Sequence, residues 1–411
     1  MTTETDDALW PMRQGARFAW RLGLALAPTL AAALRPVSPL RFGRIVVALR
    51  HDDVREVFRN DPTYAAPYAE RLAAITGHEP FLLGLQDGPD YQAALRALRG
   101  LLHLPGDADR VGRDAAAIVE AGLPDMGEVE VVQLFRRAAF NSIAGWLGVP
   151  PVEGLPDRLA VWGTRLFGFQ FGGGPVPTEA ETRPFAEAMR AHVAAAVAAR
   201  RVGGSAEDDL LGRALRREAE RDPWFTDARI RTALLCLLVG GPPQPPMLAA
   251  NALNQLLRRP DALASAQRAA RAGDETALRC IVREAMRFAP LAPALQRVAV
   301  RDGTLAAGTS RARAVPAGTE VLAAIASAMA DERRVAEPRR FDPGRPDADY
   351  LHFGHGLHEC YGRELNSVLI HRLLMPLLRR TRLARATGAA GQLARRGVHA
   401  ERLVIDVTPL A

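Results

Sequence analysis

Apolar residues recur at spacings of three and four along most of this chain, the period of one helix face. The pattern predicts helices over 91–102, 108–122, 131–147, 181–201 and 226–258, then over 274–289 and from about 361 to 380. Two regions break the period. A β-branched run at 43–50 predicts a strand, and His51-Asp52-Asp53-Val54 after it predicts a helix start. Short strands are expected around 294–322, and glycine, proline and polar clusters mark loops at 168–177, 202–208 and 336–358. No internal repeat and no linker long enough to separate domains interrupts this order. The expectation is a mainly α protein with small β-sheets, one domain over 1–411, with a β-containing N-terminal part at about 40–90 and a helix-rich remainder.

Composition narrows the class. With 411 residues, 48% hydrophobic and 24% charged, the chain has enough apolar sequence for a large buried core. The charge excess is +7, and every fixed positive charge is arginine, because lysine is absent. Arginine suits planar, bidentate pairing with carboxylates, including those of a cofactor, although arginine-rich codon usage accounts for the bias equally well. Acids are interleaved among the arginines and no basic, aromatic stripe is present, which argues against a nucleic-acid partner. Cys236, Cys280 and Cys360 are too few and too dispersed for a disulfide framework, as expected of a reducing cytoplasm. The start, Met1 to Asp7, is polar and acidic, unlike a signal peptide. The apolar stretch 22–34 is interrupted by Pro28, flanked by Arg21 and Arg35, and shorter than the roughly 20 residues that span a bilayer. An amphipathic helix without stable membrane insertion is the expectation, with surface association left open.

One loop carries chemistry. It reads Phe353-Gly354-His355-Gly356-Leu357-His358-Glu359-Cys360-Tyr361-Gly362. Its glycines allow a tight turn that approaches a flat ligand closely. A cysteine at the mouth of the following helix is expected to be held as thiolate by the helix N-terminus. Thiolate is the axial ligand that pushes electron density toward a haem iron. Gly362 lets the next helix pack closely. Cys236 and Cys280, by contrast, read as small apolar core residues.

Phe353, Gly356, His358, Cys360 and Gly362 resemble the Phe-x-x-Gly-x-(Arg/His)-x-Cys-x-Gly signature of the cytochrome P450 family. Glu284-Ala-Met-Arg287 resembles the family's Glu-x-x-Arg, whose side chains share a helix face. Pro338-Arg339-Arg340-Phe341 resembles the segment supplying a second arginine, here Arg340, to the same glutamate in a structural role. The resemblance implies haem b bound through Cys360, with Arg297 and His358 near its propionates and Phe353, Gly354, Gly356 and Gly362 shaping the loop.

Two segments depart from that pattern. The family's distal helix carries an acid–alcohol pair that delivers protons to bound dioxygen. Here the run is Gly240-Gly241-Pro242-Pro243-Gln244-Pro245-Pro246, which puts Pro243 at the acid and Gln244 at the alcohol. Proline in a helix interior costs about 3 kcal/mol or more and strips a donor from the carbonyl four residues earlier. The carbonyls of Leu238, Val239, Gly241 and Pro242 are therefore expected to lack donors, and the helix to break or bulge widely. Gly240, Gly241, Pro243 and Gln244 become the candidate catalytic segment, with drift in an inactive protein as the plain alternative. In the second segment, 87–99, Tyr91 and Leu95 stand where the family has His and Arg, and Arg96 or Arg99 could substitute, with Arg99 favoured.

The implied activity is oxidation of a small lipophilic molecule such as a natural product, with electrons from NAD(P)H through a reductase and a ferredoxin. The arginine-bearing face near Arg363 would receive an acidic ferredoxin. A second reading drops the dioxygen cycle for peroxide use, isomerisation, dehydration or coupling. A third is a non-catalytic haem protein that binds a ligand.

Overall fold

The computed structural model describes residues 27–408 apart from 103, 156, 173–175, 205–206, 381 and 398. Met1 to Asp7, residues 22–26 of the apolar stretch, and parts of the two expected loops at 168–177 and 202–208 lie outside the described residues. The β-branched run pairs as a hairpin, β1 (Leu40–Phe42) with β2 (Ile45–Ala48), and α1 (His51–Arg59) follows. Together with β3 (Tyr64–Ala65), β4 (Leu295–Ala299) and β5 (Glu320–Ala323) they form one sheet in the order β1-β2-β5-β4-β3. Only β2 and β5 run parallel in it. The N-terminal strands are thus completed by strands from 235 to 275 residues later, Ala299 opposite Tyr64 and Glu320 opposite Ile45.

Helices make up most of the remainder. Asp107–Gly122 and Val131–Leu147 pack in the centre with α2 (Arg158–Phe171), α3 (Asp227–Gly240), α4 (Gln244–Leu256), α5 (Glu275–Phe288) and α6 (Arg363–Leu378). Their apolar faces share one large core, and the five-stranded sheet has a smaller core of its own. A mainly α architecture with small sheets matches the expectation. The stretch 227–256 has the length and apolarity of a membrane-crossing helix, yet it lies mostly inside the protein.

Two boundaries differ from the reading of the sequence. Gly168 to Phe171 belong to α2 rather than to a loop. Gly163 in the same helix is a packing residue: a Cβ there would lie 2.8 Å from the Phe140 ring and 3.3 Å from the Leu238 carbonyl oxygen. The predicted helix over 226–258 is two helices, broken only over 241–243.

Candidate functional site

The cysteine loop is shaped by positive-φ glycines, Gly354 at +74° and Gly356 at +78°, a region that costs other residues strain. A Cβ on Gly356 would sit 2.3 Å from the Phe58 carbonyl oxygen at the end of α1, so the loop touches backbone there. The Cys360 N–H donates to the Phe353 carbonyl at 2.7 Å, closing the loop, and Arg363 N–H donates back to the Cys360 carbonyl at 3.1 Å. Gly362 caps α6, and a Cβ on it would lie 4.0 Å from Cys360 Sγ.

The expectation that the helix mouth alone holds Cys360 as thiolate is not met. Desolvation pushes the thiol up to about 11, outweighing the Gly362 N–H and the Arg363 charge, which act in the opposite direction. A cation at Sγ is what favours the thiolate there, since metal binding displaces the thiol proton.

Beside the loop, α1 and β4 bring three charged or titratable side chains together. Arg297 is buried, with Nη1 donating to the Gln296 carbonyl at 2.9 Å and Nε left without an acceptor. The buried ring of His358 leaves Nε2 4.0 Å from Asp61 Oδ1, and neither atom has a hydrogen bond. Burial first, then Arg297, pushes His358 down to about 4. Asp61 was not legible in advance, because it follows α1 in a turn and matches no motif. Tyr91 is buried, donates its hydroxyl to the Leu357 carbonyl at 2.6 Å, and packs its ring edge-on to His358 at 5.8 Å. It therefore holds the loop. Arg99 is exposed, and its charge reaches Tyr91 and Tyr361, where it opposes the rise that burial causes.

A second cluster anchors the approach to the loop. Glu284 is fully buried and accepts from Arg287 Nε and Nη2 at 2.9 and 2.7 Å, from Asp342 N–H at 3.0 Å and from the Tyr350 hydroxyl at 3.1 Å. The second arginine is Arg345, whose Nε donates to Glu284 Oε1 at 3.2 Å. Arg340, expected in that role, instead points outward to Glu337; its contribution is its carbonyl, which accepts from both Arg287 and Arg345. The physical reason lies in the loop path, which turns the Arg345 side chain inward and leaves Arg340 in water.

The distal segment breaks narrowly rather than widely. α3 ends at Gly240, Gly241 donates to the Leu237 carbonyl at 2.9 Å, and α4 begins at Gln244. Pro245 and Pro246 occupy the first turn of α4, where backbone N–H groups have no intrahelical partner anyway, so most of the expected penalty is avoided. Gln244 Nε2 donates to the Gly240 carbonyl across the gap and replaces one lost helical bond. Prolines 242, 243, 245 and 246 have no N–H for the carbonyls of Leu238, Val239, Gly241 and Pro242.

These observations fit a flat anionic macrocycle with a central cation: a half-buried cysteine whose thiol is raised by desolvation, a close-approach glycine loop, and buried nitrogens on Arg297 and His358 lacking partners. The Cytochrome P450 family model matches residues 205–390. Cytochrome P450 105C1 of a Streptomyces species is 31% identical over 286 residues, covering 69% of this chain and 68% of the relative. Cyclomarin C epoxidase CymV of Salinispora arenicola is 29% identical over 347 residues, 80% of this chain and 82% of that protein. The ligand-free structure of cytochrome P450 TbtJ1 superposes with a TM-score of 0.76 at 26% identity, covering 94% of this chain and 98% of that one.

Proposed function

Because this chain belongs to the cytochrome P450 family, we propose that it is a haem-thiolate monooxygenase that hydroxylates, epoxidises or oxidatively couples a small lipophilic natural product. Haem b is the cofactor, and when bound it supplies the iron at which oxygen is activated. Cys360 provides the sulfur ligand. Arg297 on β4 and His358 on the cysteine loop would hold the haem propionates, with Arg99 at the end of the helix Pro89–Arg99 as a further candidate. Glu284, Arg287 and Arg345 fix the path of the loop that presents Cys360. We read 1–411 as one catalytic domain working in the cytoplasm. The observation that carries the reading is the desolvated thiol of Cys360, set beside buried Arg297 and His358 nitrogens without partners.

Apolar side chains at Leu82, Leu83, Phe167, Phe169, Phe171, Leu291 and Leu295 are assigned to the substrate, which is consistent with a lipophilic, weakly charged molecule. Gly240 and Gly241 keep the end of α3 free of side chains. With Pro243 and Gln244 in place of an acid and an alcohol, proton delivery would rest on water at the carbonyls of the break, on Gln244, or on a polar group of the substrate. An acidic ferredoxin docking near the exposed Arg363 brings electrons from NAD(P)H through its reductase.

A second reading, direct use of peroxide, is favoured by one observation: the Gln244 amide is already engaged by the Gly240 carbonyl. The test is turnover of the haem-loaded protein on apolar natural products, with ferredoxin, reductase and NAD(P)H against hydrogen peroxide alone. Product only in the reconstituted system supports the monooxygenase; product with peroxide alone moves the assignment to the second reading. A thiolate-type ferrous–carbonyl spectrum with no product under either condition would make this a ligand-binding haem protein, and Cys360→Ser must abolish that spectrum.

A further inference from the structure

Asp61 is an acid largely shut away from water. It stands in the Asp61-Pro62 turn after α1, and acids in such turns usually stay solvated. Here the side chain is 10% exposed, and Oδ1 is buried without a hydrogen bond. Burial raises the carboxyl, while the charge of Arg297 and the N–H of Leu357 oppose that rise. Turn chemistry does not account for the orphan oxygen.

What faces that oxygen is His358. Its ring is 3% exposed and sets Nε2 4.0 Å from Asp61 Oδ1, and the second ring nitrogen, Nδ1, forms no hydrogen bond among the described residues. Asp61 and Tyr91 also hold the residue before His358 from two sides. Leu357 gives its N–H to the Asp61 carboxylate, and its carbonyl accepts the Tyr91 hydroxyl at 2.6 Å. The Tyr91 ring then meets the His358 ring edge-on, with centroids 5.8 Å apart. Backbone and ring of His358 are thereby both constrained. The Arg297 charge reaches both members of the pair.

We propose that Asp61 is a positioning residue for the cofactor: it takes the Nε2 side of His358 and leaves Nδ1 to hold a haem propionate. This rests on the haem-thiolate reading above. The hydrogen bond at one ring nitrogen sets what the other can do, and an imidazole between two carboxylates has a donor for each. Histidines that bind metals are oriented in the same way, by a carboxylate on the far nitrogen, and losing that partner costs about 10- to 100-fold in affinity. Tyr91 supports the arrangement from the helix Pro89–Arg99, through Leu357 and the ring edge.

The test compares full-length wild type, Asp61→Asn, His358→Phe and the double variant, each loaded with haem or with haem dimethyl ester, whose propionates are blocked. Transfer of the macrocycle to excess apomyoglobin, followed in the Soret band, gives each release rate. Asp61→Asn keeps the size and an acceptor for the Leu357 N–H, and should release haem about 10- to 100-fold faster than wild type. With the ester, and in the His358→Phe background, the same substitution should change release by less than about twofold. An unchanged circular dichroism melt shows that a variant is folded, and Asp61→Ser takes the place of Asp61→Asn if that variant is not. Equal acceleration with both macrocycles overturns the proposal, because a support that ignores the propionates would act on both. Unchanged haem release by Asp61→Asn, with a thiolate-type ferrous–carbonyl spectrum in wild type, overturns the role of Asp61 alone. A wild type that takes up no haem, or lacks that spectrum, overturns the reading on which the role rests.

Discussion

Replacing Arg345 by methionine is the sharpest test of how the cysteine loop is held. The guanidinium donates to Glu284 Oε1 at 3.2 Å, to the Glu337 and Arg340 carbonyls at 2.8 and 2.9 Å, and to the Ala336 carbonyl. Methionine preserves much of the apolar stem and none of these bonds. Glu284 would keep Arg287, Tyr350 and the Asp342 N–H, and the Arg340 carbonyl would keep Arg287, but the Ala336 and Glu337 carbonyls would lose their cationic donor inside the protein. A hydrogen bond to a charged group contributes about 1.5–3 kcal/mol, and breaking a buried ion pair costs about 3–5 kcal/mol. These figures are not additive across one network, so the expected loss is about 3–5 kcal/mol, a large part of the roughly 5–15 kcal/mol that folds a domain. Arg340→Ala is the contrast, because that side chain is 65% exposed and pairs only with Glu337, itself 71% exposed. Its loss should stay within about 0.5 kcal/mol. Urea denaturation of the haem-loaded protein, followed by far-ultraviolet circular dichroism and the Soret band, measures both. Equal losses for the two variants, or an Arg345→Met loss below about 1 kcal/mol, would refute the assignment.

Two further outcomes are expected. Gly356→Ala places a Cβ 2.3 Å from the Phe58 carbonyl at a φ of +78°, so it should destabilise the protein by more than about 2 kcal/mol and weaken haem retention. Gly145→Ala, in an exposed helical position with nothing within 4 Å of the new Cβ, should stabilise by about 0.5–1 kcal/mol; urea midpoints of the two variants check both signs. His399 is buried and pushed down to about 4, by desolvation first and by Arg395 second. The folded protein therefore binds fewer protons than the unfolded chain between about pH 4 and about pH 6.5, so stability is full above that window and is lost as pH falls through it. The slope integrates to at most about 3 kcal/mol, and His399→Gln should flatten it in urea titrations run at about pH 7 and about pH 5.

Legibility in the sequence followed the locality of the information. The cysteine loop could be read because its constraints are local: glycines at fixed offsets, a sulfur, and a helix start. The helix Val131–Leu147 matches its predicted bounds because its apolar period is unbroken. Gly168 misled in the opposite direction, since it lies inside α2 and does not turn the chain. The choice between Arg340 and Arg345 could not be made from spacing, because both lie in an aperiodic loop whose path is set by Glu284 on another element. The four prolines were legible as a break, but not as a narrow one. Two of them fall in a new first turn, and the position of that turn depends on where Gln244 finds its acceptor.

The parallel pairing of Ile45 with Glu320 has a consequence for the order of events on the ribosome. At about 5–20 residues per second, the 275 residues between those partners take roughly 14–55 seconds to synthesise. For that interval β2 has no β5 beside it, and the hairpin emerges with Phe42, Ile45 and an open strand edge facing solvent. Newly made chains are therefore exposed to edge-to-edge association before the helical core is complete, and the arginines at 41 and 44 place repelling charge on that edge during the wait.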